Sequence, residues 1–197
     1  MNIVFATGNN DKMREIRQIL GNLPVTVSSM KEAGIDIDID ENGTTFEENA
    51  MIKAREVAKH CDSIVLADDS GLEIDYLGKE PGVYSARYLG RETPYSEKNA
   101  IILDKLKDVR DEERTARFVC AIAAVLPDGK EIVVRGTMEG IIGHSIAGNN
   151  GFGYDPIFFL PEYGKTSAEL SPEEKNAVSH RGKALRMMAD KLAEMLK

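Results

Sequence analysis

The chain contains no tryptophan and only two cysteines, Cys61 and Cys120, among 197 residues, and aromatics make up just 6% of it. Two thiols far apart in sequence form neither a CxxC pair nor a dense framework. This argues against a disulfide scaffold and a thiolate zinc site, and a reduced cytoplasm is the expected setting. An apolar run of membrane-spanning length is missing, and Met1-Asn2-Ile3-Val4-Phe5 has neither the basic region nor the long apolar stretch of an export signal. No membrane partner is therefore expected. Basic charge is also scarce: 25 Lys and Arg stand against 33 Asp and Glu, a formal charge of −8. Duplex affinity comes mainly from cations that displace counterions from phosphates, so the balance argues against a nucleic-acid partner. It leaves room for a single phosphorylated ligand held by local positive charge.

What is present is the composition of a folded protein, 42% hydrophobic and 29% charged. The length fits one domain over 1–197, or two intimately joined lobes. Ile3-Val4-Phe5-Ala6 reads as a strand, Thr7 to Asn10 as a polar turn, and Met13, Ile16 and Leu20 as one face of a helix. Ile35, Ile37 and Ile39 alternate with Asp36, Asp38 and Asp40, the period of a strand with one acidic face. Thr45 with Glu48 forms a capping box, and the spacing predicts a helix over 45–59. Ser63 to Ala67 reads as a buried strand that ends in Asp68-Asp69-Ser70-Gly71. A helix falls within 94–107, and strands at 118–126 and 132–134 form a hairpin around Pro127-Asp128-Gly129-Lys130. Glycines and asparagines over 148–153 mark a loop before the apolar run 157–160. Ser171-Pro172 starts a helix, and Leu185, Met188, Leu192 and Met195 define a final amphipathic one. Helices mixed with strands and a hairpin predict an α/β fold with a mixed sheet.

Four segments have residue types that can do chemistry, and each has a plain structural alternative. Thr7-Gly8-Asn9-Asn10-Asp11-Lys12 opens a helix, where free N–H groups favour an anion, yet taken alone the segment reads first as an Asn-rich turn that caps the helix. The segment lacks both the P-loop and the GxGxxG spacing. Glu41, Asp68 and Asp69 follow two strands and could meet at one sheet edge; hard oxygens of this kind suit magnesium, which completes its shell with water and phosphate. A capped turn plus a surface acid is the alternative. Lys175, His180 and Arg181, ahead of the last helix, could clamp phosphate, or could simply be solvated surface charge. Gly151-Phe152-Gly153-Tyr154-Asp155-Pro156 could stack on and read a base, or could be a tight turn packed on the core.

Taken together the segments resemble the inosine triphosphate pyrophosphatase family, also described as XTP/dITP diphosphatases. The resemblance rests on Thr7-Gly8-Asn9, Ala67-Asp68-Asp69-Ser70-Gly71-Leu72, Pro81-Gly82-Val83-Tyr84-Ser85-Ala86-Arg87, Gly151 to Pro156 and Ser179-His180-Arg181, in that order along nearly the whole chain. It implies a two-lobed α/β fold with a central mixed sheet flanked by helices, a nucleotide cleft between the lobes, and a homodimer. It further implies that Thr7, Gly8, Asn9, Asn10, Asp11 and Lys12 hold the triphosphate, with Lys53 facing the phosphates. Glu41 and Asp69 would bind Mg2+, and Asp69 would act as general base. Ser70 would lie beside the substrate, Phe152, Gly153, Tyr154 and Asp155 would form the base pocket, and Lys175, His180 and Arg181 would complete the contacts. The expected reaction is hydrolysis of deaminated purine nucleoside triphosphates to monophosphate and pyrophosphate. Two other classes stay open: a nucleotide sensor, which has no need of Glu41 and Asp69 around a metal, and a septum-formation-inhibitor type of pyrophosphatase acting on modified pyrimidines, against which the block from Phe152 to Pro156 argues.

Overall fold

A computed structural model of the chain describes residues 2–21 and 24–195; Met1, part of the N-terminal reading above, lies outside them. Among the described residues one mixed sheet has seven strands: β1 (Asn2–Phe5), β2 (Thr26–Ser29), β3 (Ile64–Ile74), β4 (Thr115–Val125), β5 (Glu131–Ile142), β6 (Phe158–Leu160) and β7 (Lys165–Thr166), in the order β2-β1-β3-β4-β5-β6-β7. β1 runs parallel to both β2 and β3, whereas β6 is antiparallel to β5 and β7. The helices are α1 (Asn10–Leu20), α2 (Phe46–Ala58), α3 (Tyr95–Lys105), α4 (Pro172–Val178) and α5 (His180–Met195). No helix among them is long and apolar enough to cross a membrane.

Packing divides the chain into two compact units that interleave in sequence. One comprises Met1–Ser70, Cys120–Gly136 and His180–Lys197, the other Gly71–Val119 and Thr137–Ser179. β3, β4 and β5 each contribute residues to both. In the first unit, α1 buries Met13, Ile16 and Leu20, the face its spacing foretold, against Ile3 and Phe5 of β1, Ile122 and Ala124 of β4, and Leu185, Met188 and Leu192 of α5. In the second, Leu72 and Ile74 pack with Ile102, Leu106, Met138 and Phe158. Phe118 and Phe158 meet there with ring centroids 4.5 Å apart. Each such side chain contributes about 1.5–3 kcal/mol on burial, so both cores are substantial.

Local chemistry explains most boundaries. Thr45 caps α2 through a complete capping box with Glu48, and Ser171 does the same for α4 with Glu174 behind Pro172. Gly129, at φ +82°, permits the tight turn between β4 and β5 in which Leu126 N–H donates to Lys130 O at 2.9 Å. Three expectations fail. Residues 35–40 are no strand: the burial still alternates, with Ile35 inside and Asp36, Asp38 and Asp40 outside, but no neighbouring strand pairs with them. β3 does not stop before Asp68 but continues to Ile74 in the middle of the sheet. His180 and Arg181 do not precede the last helix but form its first turn, immediately after Ser179, whose ψ of 154° ends α4.

Arg114 shows how a buried charge can serve the fold alone. It is 1% exposed, and its guanidinium donates to the carbonyls of Ile142 (2.7 Å) and Gly143 (2.6 Å), and to those of Leu106 and Val109. It thereby ties the end of α3 to the end of β5 within the second unit. Arg114→Met removes the donors and leaves the carbonyls buried at about 1–3 kcal/mol each. The expected result is a loss of at least about 3 kcal/mol in urea unfolding; a loss under about 1 kcal/mol would show that the carbonyls find other partners.

Candidate active site

Successive side chains on a strand point to opposite faces, so the adjacent acids of β3 are forced apart. Asp68 and Ser70 share one face. Asp68 Oδ2 lies 2.9 Å from Lys12 Nζ on α1 and 3.4 Å from Arg181 Nη2 on α5, and the same Nη2 donates to Ser70 Oγ at 3.1 Å. Glu15 pairs with the other arm of Arg181. The Asp68 side chain has no solvent exposure and that of Arg181 only 2%. Burial would favour a neutral carboxyl, but the charges of Lys12, Arg181 and Lys53 outweigh it and hold Asp68 well below the usual carboxylate range. Arg181 is raised: burial opposes its charge, and Asp68 and Glu15 more than offset the penalty. Two cations and two carboxylates balance on this face. Cys120, on β4, has its thiol pushed up to about 12, first by burial and then by the Asp68 charge, so it is no thiolate nucleophile.

Asp69 turns the other way, toward α2. Its Oδ2 accepts from Asn49 Nδ2 at 3.2 Å, and its Oδ1 lies 3.7 Å from Lys53 Nζ, which also donates to Glu41 Oε2 at 2.7 Å. Asn49 and Lys53 stand one helical turn apart, on one face of α2. The Asn49 amide faces two ways, because its Oδ1 accepts from Gly43 N–H at 2.8 Å, which ties the segment carrying Glu41 to the helix. A Cβ on Gly43 would come within 2.7 Å of that Oδ1 and 2.8 Å of Glu48 Cβ, so the approach requires glycine. Burial raises Asp69 above its ordinary range, against the pull of Lys53 and Lys12. Burial also works against charge on Lys53, but Asp69, Asp68 and Glu41 prevail and raise it. Here one ammonium faces two carboxylates, so the face is short of positive charge. Two hard-oxygen carboxylates around a cationic position fit a divalent ion that takes one or two carboxylates and fills its shell with water and phosphate. A group of three acidic, histidine or cysteine side chains able to hold a metal does not occur among the described residues.

The three acids foreseen at one sheet edge are therefore separated. β3 is an inner strand, Asp68 faces Lys12 and Arg181, and only Glu41 and Asp69 share a cation, with Glu41 on an irregular segment rather than at a strand end. At the start of α1, Asn9 Oδ1 accepts from Asp11 N–H (2.9 Å) and Lys12 N–H (3.1 Å), and Asn9 N–H donates to Thr7 Oγ1 at 3.2 Å. Asn9 is thus the helix cap, while Gly8, Asn9 and Asn10 remain exposed and Gly8 has open space around it. Asp11 pairs with Arg14 on the surface.

The second unit carries the turn that includes Phe152, Gly153, Tyr154 and Asp155. Asp155, 2% exposed, accepts from Phe152 N–H (2.8 Å), Ser167 Oγ (2.9 Å) and Lys175 Nζ (2.7 Å). That Nζ also lies 5.0 Å from the centre of the Phe152 ring. Gly151, at φ +72°, leaves room for this arrangement: a Cβ there would sit 2.2 Å from Asp155 Oδ2. Tyr154 is buried, donates its hydroxyl to Ser85 O at 2.7 Å and meets the Tyr95 ring edge-on at 5.1 Å. Gly153 O accepts from Asn99 Nδ2 at 3.1 Å. Lys175 is thus in the second unit with the turn, and His180 and Arg181, both buried, in the first.

Sequence reasoning missed Asn49, Glu15, Ser167 and Asn99. Asn49 alone left a signal, a buried-face position of α2 four residues before Lys53; the others are brought in by distant segments.

The profile of the Ham1 family matches residues 3–191. The dITP/XTP pyrophosphatase of Clostridium perfringens is 50% identical over 200 residues, 98% of each chain. Among solved structures, the Ham1 protein of Staphylococcus aureus matches with a TM-score of 0.88 at 40% identity, covering 99% of this chain and 100% of that one. A HAM1 protein of Coxiella burnetii matches with a TM-score of 0.88 at 42% identity, covering 98% and 99%.

Because Asp68 is the counter-charge for Arg181, which is buried, and for Lys12, which is 17% exposed, Asp68→Asn should cost about 3 kcal/mol of stability even with the shape kept. Urea unfolding measures this; a change within about 0.5 kcal/mol would mean that Lys12 and Arg181 do not depend on it.

Proposed function

The chain belongs to the Ham1 family, and from that premise we propose that it hydrolyses the deaminated purine nucleoside triphosphates ITP, dITP and XTP to the monophosphate and pyrophosphate, so that these bases are kept out of DNA and RNA. The observation that carries the reading is the gathering of Lys12, Lys53 and Arg181 around Asp68 and Asp69 in a protein of net charge −8. Scattered surface charge would not bury these side chains. The whole chain is taken as one catalytic domain.

In the reaction, water attacks the α-phosphorus, the bond from that phosphorus to the bridging oxygen breaks, and pyrophosphate leaves. Lys12, Lys53 and Arg181 offset the negative charge spread over the phosphates in the transition state, while the turn from Thr7 to Asp11 positions them. Asp69 accepts the proton of the attacking water; burial raises its affinity for that proton, and Lys53 and Lys12 partly oppose the rise. Ser70, fixed by Arg181, lies beside the phosphates. Glu41 and Asp69 would hold Mg2+, which on binding would neutralise phosphate charge and make the attacking water more acidic.

In the second unit Phe152 offers the face for the purine, and Gly153 lets the backbone pass close to it. Lys175, held by Asp155 at 2.7 Å, is the donor suited to a 6-oxygen. Adenine presents an amine donor there, which sets donor against donor and offers Lys175 no acceptor. Asp155 already accepts three hydrogen bonds inside the protein, so it is not the group that meets the 2-amino group of guanine. Tyr154 supports the turn through Ser85, and His180 anchors the start of α5.

Tyr76, Tyr84 and Leu89 of the second unit are exposed at 54%, 57% and 41%, large side chains that a homodimer would cover; light scattering over a range of concentrations tests it. Two free cysteines, one of them buried, agree with a reduced cytoplasm.

With ITP, XTP, dITP, ATP and GTP as substrates, metal-dependent release of pyrophosphate from the three deaminated purines is expected; orthophosphate release, or equal rates on ATP, would overturn the reading. Asp69→Asn should lower kcat about 10²- to 10⁴-fold. Lys175→Met should shrink the preference for ITP over ATP about ten- to hundredfold in kcat/KM, and an unchanged ratio would remove Lys175 from base selection.

A further inference from the structure

Lys53 occupies the position a metal ion would need. Its Nζ is 2.7 Å from Glu41 Oε2 and 3.7 Å from Asp69 Oδ1, on a side chain only 12% exposed. A second cation cannot join the same two carboxylates while the ammonium stays, because the two positive charges would repel each other at close range. The rest of the face is built to stay in place. Asn49 holds Asp69 Oδ2 at 3.2 Å and is itself fixed by Gly43 N–H at 2.8 Å. Lys53, by contrast, is a point charge on a flexible four-carbon stem. A lysine that left Glu41 and Asp69 would be a largely buried charge without a partner, unless an anion arrived with the metal.

We propose that Lys53 couples metal binding to nucleotide binding: its ammonium pairs with Glu41 and Asp69 until a divalent cation takes those carboxylates, and it then passes to the triphosphate. This rests on the reading of Glu41 and Asp69 as the metal ligands. Metal alone binds weakly because it strands Lys53. Nucleotide alone binds weakly because Lys53 is engaged by carboxylates. Each ligand removes the obstacle to the other, and the coupling is reciprocal.

The test counts free Mn2+ by electron paramagnetic resonance in titrations of the full chain, with and without the non-hydrolysable α,β-methylene analogue of ITP, after correction for the analogue's own chelation in protein-free controls. In the wild type the analogue should tighten Mn2+ binding at least about fivefold. Lys53→Met should bind Mn2+ alone at least about fivefold more tightly than the wild type and gain less from the analogue. Lys53→Arg keeps the positive charge and should retain the wild-type pattern. Lys53→Gln, a neutral residue of similar length, carries the same test if the methionine variant does not fold. Should the neutral variants bind Mn2+ alone no more tightly than the wild type while the wild type binds it, the coupling is overturned and the metal site stands. If neither wild type nor variant binds Mn2+ even with the analogue, the metal-site reading falls and the coupling with it.

Discussion

Two neighbouring carboxylates cannot be buried within a central strand unless cations meet both faces of that strand. Asp68 and Asp69 impose this condition on β3, and much of the first unit answers it. α1 brings Lys12 and α5 brings Arg181 to one face, while α2 brings Asn49 and Lys53 to the other. An isolated ionised carboxylate in a dry interior would cost several kcal/mol, far beyond what the neighbouring apolar contacts of one strand could offset. The helices that pack the hydrophobic core are therefore also the carriers of the compensating charge. Gly136 on β5 shows how closely this is fitted: a Cβ there would come within 2.4 Å of His180 O, at the turn of α5 that sets Arg181.

The two faces are compensated to different degrees. Around Asp68 two cations and two carboxylates balance, with Asp68 and Arg181 closed off from solvent and Lys12 keeping 17% exposure. Around Asp69 one ammonium serves two carboxylates, and the Glu41 side chain keeps 35% exposure. A site that must admit a further cation and an anionic substrate has to be left incomplete in this way, because a fully satisfied network would gain nothing from a ligand.

The parts legible in the sequence were those governed by local rules. The capping boxes at Thr45 and Ser171, the hairpin turn at Gly129 and the apolar face of α1 all depend on residues within a few positions of one another. The Asp68-Asp69 pair was also conspicuous, but it was read as a strand end because polar residues usually close an apolar run. Its true setting depends on Lys12 and Arg181, which are remote in sequence, so no local pattern could reveal that the strand continues. Alternation at 35–40 misled in a different way: period two records which side chains face inward, and that holds for Ile35 and Asp36, but pairing needs a partner strand that the pattern does not encode. The site roles proposed for Thr7 to Lys12, for 151–155 and for 180–181 rest on resemblance, since each segment alone reads first as a cap, a turn or a surface patch.

The turn at 151–155 shows why an acidic residue in a proposed base pocket need not read the base. Asp155 is held on three sides, accepting from a backbone N–H, a serine hydroxyl and a lysine ammonium at once. That leaves little acceptor capacity for anything outside. What it contributes instead is the position and charge of Lys175 beside the Phe152 ring, a flat apolar surface with a cation next to it. In the proposed reading, recognition by such a pair would depend on the ring's face and on one donor, both held by Asp155, Gly151, Tyr154 and Asn99. Rigidity of this kind is what allows a single misplaced donor or acceptor on a ligand to be penalised, because the protein cannot rearrange to satisfy it.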